Sequence, residues 1–219
     1  CVSPPYMYVC IYDKMYILND TLASLNLTNA HSICTNDSYL FAASSKIPGT
    51  GIGRFLKNGT GQMSFNGGLP VYTQALTLST YKNKLYAGIY KSEYIYPNYL
   101  EEGLGIYSTD IETCNWVAIN NGLPENTYVY SIVHSRNYLF IATDQGIYKS
   151  DENLISWELL NTDTISLFFT LACSGDSIVA GGVGENQSNY LIMSPDLGKN
   201  WYDYKEGINN LNISQGAVI

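Results

Sequence analysis

A chain that repeats itself every 40 to 50 residues or so has to stack copies of one supersecondary unit, because a single unit cannot bury its own apolar face. Tyr138-Leu139-Phe140-Ile141-Ala142-Thr143, followed by Gly146-Ile147-Tyr148-Lys149-Ser150, has three counterparts in this chain. They are Tyr39-Leu40-Phe41-Ala42-Ala43 with Gly51-Ile52-Gly53-Arg54-Phe55, Lys84-Leu85-Tyr86-Ala87-Gly88 with Gly105-Ile106-Tyr107-Ser108, and Ser177-Ile178-Val179-Ala180-Gly181 with Tyr190-Leu191-Ile192-Met193-Ser194. A short apolar segment precedes each copy: His31 to Cys34, Ala75 to Ser79, Val129 to His134 and Phe168 to Cys173. The turns Asn66-Gly67-Gly68-Leu69-Pro70 and Asn120-Asn121-Gly122-Leu123-Pro124 close two of the units.

Each unit reads as an apolar strand, a polar turn, an aromatic and β-branched strand, a Gly-containing turn, a third strand and an outer strand near a Trp. No segment sustains a 3.6-residue apolar period with caps, so the chain is all-β. At the N-terminus Met7 to Ile11, Lys14 to Leu18 and Ala23 to Leu27 supply three strands without an inner one, while Ile213 to Ile219 supplies an inner strand with nothing after it. Inner strands near Ile33, Thr77, Ile132, Leu171 and Val218, spaced by 44, 55, 39 and 47 residues, then give a five-bladed β-propeller in which the C-terminal strand pairs with the N-terminal ones. Closing the ring in this way leaves only short edges. The expectation is one domain over 1–219, with blades at 1–30 plus 211–219, 31–70, 71–124, 125–164 and 165–210. A fragment of a larger propeller is the alternative.

Composition excludes several classes. With 46% apolar and 14% charged residues the chain is a folded one, and no window is long and apolar enough to span a membrane. Lys+Arg 11 against Asp+Glu 19, with only two arginines, Arg54 and Arg136, excludes a nucleic-acid backbone as partner. The five cysteines, Cys1, Cys10, Cys34, Cys114 and Cys173, contain no C-x-x-C pair. A first residue of Cys1 without a methionine is what a processed lipoprotein would show, so a lipid anchor at Cys1 is one expectation for an exported, periplasmic, cell-surface or secreted protein. Sequons at Asn19, Asn26, Asn36, Asn58, Asn186 and Asn212 fit surface loops, and an Asn-, Ser- and Thr-rich chain also generates them by chance.

Ser194-Pro195-Asp196-Leu197-Gly198-Lys199-Asn200-Trp201 has the form S-x-D-x-G-x-x-W, and here the chain resembles the Asp-box, or BNR, repeat of sialidase-like propellers. Ser150 to Trp157 keeps the Ser–Trp separation with Glu152 at the Asp position and Leu154 for Gly, and Ser108-Thr109-Asp110 to Trp116 keeps the Asp with one extra residue. A weaker version ends at Phe65. The resemblance implies a structural role for Ser108, Asp110, Trp116, Ser150, Trp157, Ser194, Asp196, Gly198 and Trp201: a tight outer turn whose carboxylate accepts backbone N–H groups and whose Trp packs between sheets. It places these residues away from any catalytic centre.

Sialidase chemistry, as the resemblance implies it, needs three arginines to grip a carboxylate, which two cannot supply and lysines do not replace. Five-bladed arabinanase-type hydrolases would need acids on the inner strands. Those strands carry none, and Asp13, Asp144, Asp176, Glu101 and Glu102 fall at turns or in an insertion. Cys34, Thr80, His134 and Cys173 align near the inner-strand ends, with Cys1 in the fifth blade; small buried residues explain them, and no metal or cofactor is assigned.

What remains is aromatic surface. Four of the twenty tyrosines, Tyr90, Tyr94, Tyr96 and Tyr99, fall in the insertion between residues 90 and 102, as a long connection or as the extension of two strands. Tyrosine suits stacking on sugars or anchoring a protein. The expectation is a non-catalytic exported binding or scaffold module for a glycan or protein, the alternative being a glycoside hydrolase-like enzyme with an atypical site.

Overall fold

The computed structural model describes residues 2–3, 6–11, 14–18, 22–28, 30–44, 51–154, 156–160, 167–184 and 189–203. Cys1, Asp13, the sequons at Asn19, Asn186 and Asn212, and the expected strand at 213–219 lie outside them. Among the described residues there are five four-stranded antiparallel sheets and no helix, so none that could cross a membrane. The chain divides into two compact units, Cys1–Ile119 with three sheets and Asn120–Ile219 with two.

In the first unit, sheet one is β1 (Val2–Ser3), β2 (Tyr6–Ile11), β3 (Lys14–Leu18) and β4 (Leu22–Thr28) in that order. The place beside β2 that the sequence assigned to 213–219 is taken, among the described residues, by Val2–Ser3, which pairs with Met7 and Tyr6. Sheet two is β5 (Ala30–Thr35), β6 (Tyr39–Ser44), β7 (Ile52–Leu56) and β8 (Met63–Ser64). Sheet three is β9 (Thr73–Tyr81), β10 (Lys84–Ile95), β11 (Asn98–Asp110) and β12 (Val117–Ala118). The second unit holds sheet four, β13 (Val129–Ser135), β14 (Tyr138–Thr143), β15 (Gly146–Asp151) and β16 (Glu158–Leu159). Its other sheet is β17 (Leu167–Ser174), β18 (Ser177–Val183), β19 (Asn189–Ser194) and β20 (Tyr202–Asp203).

β6, the second strand of sheet two, is covered on one face by sheet one and on the other by sheet three, which is why it is apolar without alternation, Leu40 to Ala43 all being buried. Leu139 to Ala142 of β14 are likewise all buried. Phe41, Ile52 and Phe65 of sheet two pack against Leu85, Ile89 and Trp116 of sheet three. Tyr8, Met15 and Ile17 meet Leu40, Ala42 and Phe55, and in the second unit Phe140 and Ile147 meet Phe168, Leu171 and Ile192. Each fully buried Phe contributes about 2 to 3 kcal/mol. The outer strands β8, β12, β16 and β20 are two residues long, which keeps the sheet edges short.

Two devices repeat with the sheets. The linking turns hold the tryptophan of the sheet that follows: Trp116 N–H donates to the Gly67 carbonyl at 2.9 Å and Trp157 N–H to the Asn121 carbonyl at 2.8 Å. Beyond each turn a threonine hydroxyl closes the entry to the next inner strand, Thr73 to Pro70 O and Thr127 to Pro124 O, both at 2.7 Å. Each of four inner strands also carries a β-bulge near its start, leaving His31, Leu76, Tyr130 and Phe169 unopposed across the ladder.

Candidate functional site

The insertion after Ile89 continues the ladder of β10 and β11 rather than leaving it. Tyr90 pairs with Gly103, Lys91 with Glu102, Ser92 with Glu101, Glu93 with Leu100, Tyr94 with Tyr99 and Ile95 with Asn98, closing through Tyr96–Pro97. Of the two forms that the sequence left open, the structure takes the extended strands, because the alternation of the tyrosines matches the two-residue period of a strand.

Paired residues share a face, so one face of this arm carries Tyr90, Ser92, Tyr94, Tyr99 and Glu101, and the other carries Lys91, Glu93, Ile95, Asn98, Leu100 and Glu102. Ser92 N–H donates away from β11, to the Tyr72 carbonyl at 3.0 Å. Ser92–Glu101 is therefore a non-hydrogen-bonded pair, and by alternation so is Tyr94–Tyr99, the class in which opposed side chains stand closest. The Tyr94 and Tyr99 ring centroids are 5.0 Å apart, and Tyr96 meets Tyr94 edge-on at 6.5 Å and 83°. Tyr94 is 55%, Tyr99 70% and Tyr96 84% exposed, so their rings are open to a ligand.

Tyr90 differs from the other three. It is half-buried, its hydroxyl donates to Gln74 Oε1 at 2.9 Å, and burial, then Glu101, raises its pKa. It anchors the arm. Between root and tip, the Ser92 hydroxyl donates to Glu101 Oε1 at 3.4 Å. On the opposite face Lys91 holds Glu93 at 2.8 Å, and that hydrogen bond raises the Lys91 pKa.

Hydroxyl and carboxylate side chains hold the outer turns. In the last turn, Ser194 Oγ accepts the Gly198 amide at 2.8 Å, while Asp196 accepts the Asn200 amide at 2.9 Å and its side-chain amide at 2.6 Å, bringing the Asp196 pKa down to about 2. Around Trp157, Ser150 Oγ donates to Ser156 O at 2.8 Å, and the Asp151 carboxylate accepts the Asn153 amide at 3.0 Å. Around Trp116 the hydroxyl is Thr109, accepting the Asn115 amide at 2.8 Å, while Ser108 is buried in β11 opposite Val117. Asp110 accepts the Glu112 amide at 2.9 Å, and Trp116 Nε1 donates to Phe65 O at 2.8 Å.

Of the acids weighed as catalytic, Asp176 pairs with Arg136 at 2.6 Å on an exposed surface. Asp144 is half-buried, which raises its pKa, and its Oδ1 accepts the Tyr128 amide at 2.9 Å as a turn cap. Cys173 Sγ donates to the His134 carbonyl at 3.0 Å. Among the described residues, no group of three or more His, Cys, Asp or Glu is placed to hold a metal ion.

The family described as the DUF6242 beta propeller domain matches residues 89–212, more than half of the chain. The extracellular domain of BT4673 from B. thetaiotaomicron is similar in structure with a TM-score of 0.60 at 16% identity, over 90% of this chain and 27% of that one. PorZ, an essential bacterial surface component of the type-IX secretion system of Porphyromonas gingivalis, gives 0.61 at 13% identity over 92% and 27%. A chain of the nidogen/laminin complex gives 0.54 at 12% over 89% and 77%. The chain thus spans about a quarter of BT4673 and of PorZ, and at these identities the likeness is one of fold. No curated protein matches it.

Proposed function

The chain belongs to the DUF6242 beta propeller family, and from that premise we propose that it is a non-catalytic, exported binding module whose recognition element is the tyrosine face of the β10–β11 arm. Its five sheets form one domain over 1–219 and close as a five-bladed ring, with the outer turns of Asp-box type. Five four-stranded antiparallel sheets and the Ser194, Asp196 and Asn200 hydrogen bonds support this architecture. Export is supported by the likeness to a domain described as extracellular and to a bacterial surface component.

One observation carries the binding reading: Tyr94, Tyr96 and Tyr99 are gathered at the tip of the arm with their rings in mutual contact and exposed. Exposed aromatic rings grouped at the end of a strand extension form a surface suited to recognition, because each ring offers a flat apolar face and a polar tip. Glu101 and Ser92 on the same face add polar groups that fix the orientation of a glycan stacked on the rings, and a protein partner would use the same anchors.

A thermal-shift titration against soluble oligosaccharides, with products checked for cleavage, tests the reading. Ligand at one hundred times its Kd stabilises the native state by about 2.7 kcal/mol. We expect a rise in melting temperature without cleavage, lost in Tyr94→Ala and Tyr99→Ala. Cleavage would contradict the non-catalytic reading, and a rise retained in both variants would contradict the site.

A further inference from the structure

The charge on the tyrosine face has one sign. Along that face run Tyr90 at the root, then the Ser92–Glu101 pair, then Tyr94–Tyr99, with Tyr96 at the turn. Glu101 is its one charged side chain. Lys91, the arm's one cation, stands on the opposite face, engaged by Glu93. Successive pairs on one face lie about 7 Å apart, the rise of two strand residues. A pyranose lying on the Tyr94 and Tyr99 rings therefore brings its ring substituents to the Glu101 carboxylate. An anionic substituent there would meet a like charge and no lysine or arginine of the arm on that face, whereas a protonated amine would gain a charge-assisted hydrogen bond.

The size of the face favours a glycan over a folded protein. A stable protein interface buries about 800 Å² per partner, which the tip of a two-stranded ribbon does not offer.

Resting on the arm as the binding element, we infer that its ligand is a glycan free of carboxylate, sulfate and phosphate groups, with an amino sugar stacked on Tyr94 and Tyr99 and its ammonium on Glu101. Selection against anionic sugars is built into the face by the side on which Lys91 and Glu101 fall.

Three hexasaccharides of one backbone test this: chitosan hexaose, its fully N-acetylated form and its N-sulfated form, titrated calorimetrically at low salt. The expected order is cationic, neutral, anionic, with about ten-fold between successive members. Glu101→Gln brings the cationic and neutral ligands within about two-fold of each other at unchanged melting temperature, while Tyr94→Ala weakens both. Binding of the N-sulfated ligand as tight as that of the others, an order unchanged in Glu101→Gln, or no binding of any of the three at millimolar concentration would overturn the inference. Failure here is distinct from failure of the site. If Glu101→Gln changes nothing while Tyr94→Ala still abolishes binding of the neutral ligand, the arm stands as the binding element and only its charge selection falls.

Discussion

The guanidinium of Arg54 lies 4.5 Å from the centroid of the Tyr39 ring, stacked on an aromatic of the neighbouring strand of its own sheet. From there it donates to the Ile111 carbonyl of sheet three at 2.8 Å. The second unit repeats the device at the equivalent position, with Lys149 Nζ 4.0 Å from the Tyr138 ring and 3.3 Å from the Leu197 carbonyl. A cation on the third strand thus joins a sheet to the outer turn of the next, once in each unit.

Removing that tie has a measurable cost. Arg54→Ala gives up a charge-assisted hydrogen bond and the packing of the side-chain stem, and should destabilise by about 2 to 3 kcal/mol. Arg54→Lys, which copies the arrangement at Lys149 but loses the planar fork, should cost less than half as much. Urea unfolding midpoints of the two variants check this, and equal losses would show that the ammonium cannot serve here.

The linking turns predict a contrast between two glycines. A Cβ at Gly122, where φ is +89°, would meet the Trp157 carbonyl at 2.4 Å and Ser156 Oγ at 2.8 Å, whereas at Gly175, with φ +58°, nothing lies within 4 Å. Gly175→Ala should therefore cost about 1 kcal/mol, the left-handed strain alone, and Gly122→Ala at least about 1 kcal/mol more, because backbone must move. Similar unfolding midpoints for the two would contradict the approach of the turn to Trp157.

Acid should act on the last turn. The Asp196 pKa is lowered to about 2 by the amides of Asn200, against an unfolded value near 4. A depressed carboxylate pKa contributes stability that is fully present above the unfolded value and lost as pH falls toward the folded one. The difference in melting temperature between the wild type and Asp196→Ala should be constant above about pH 5 and shrink between pH 4 and 2. A difference independent of pH over that window would show that the carboxylate charge plays no part.

Thiol chemistry should separate native from unfolded protein. Cys34 is buried and its thiol pKa is pushed far up by desolvation, so little thiolate exists to react. Peptide mapping after brief alkylation at pH 8 should find Cys34 unmodified in the native protein and modified in denaturant. Native labelling at the denatured rate would contradict its placement in the core.

The sheets were legible in the sequence because the second strand carries an unbroken apolar run at the same place in the repeat, Leu40 to Ala43 and Leu139 to Ala142, and these residues are all buried. The outer turns were legible as turns but not in detail. Counting from the serine selected Ser108, whereas the turn is hung from its tryptophan, and counting back seven from Trp116, Trp157 and Trp201 finds Thr109, Ser150 and Ser194. The bulges at His31, Leu76, Tyr130 and Phe169 left no mark, because a one-residue offset has no composition. Four tyrosines were visible as a group. That Tyr90 is an anchor while Tyr94, Tyr96 and Tyr99 form the open tip depends on strand pairing and on Gln74, which no local pattern states.

In the proposed function the tip of the arm is the recognition surface and is dispensable for the fold. Replacing residues 92–101 by Asn-Gly, a sequence suited to a tight hairpin turn between Lys91 and Glu102, removes Tyr94, Tyr96, Tyr99 and Glu101 while leaving the buried part of β10 and β11 intact. The variant should keep its unfolding free energy within about 2 kcal/mol of the parent, because apart from the half-buried Ser92 and Glu93 the residues removed are exposed, and should lose the ligand-induced rise in melting temperature entirely. A variant that folds and retains that rise would place recognition elsewhere on the molecule.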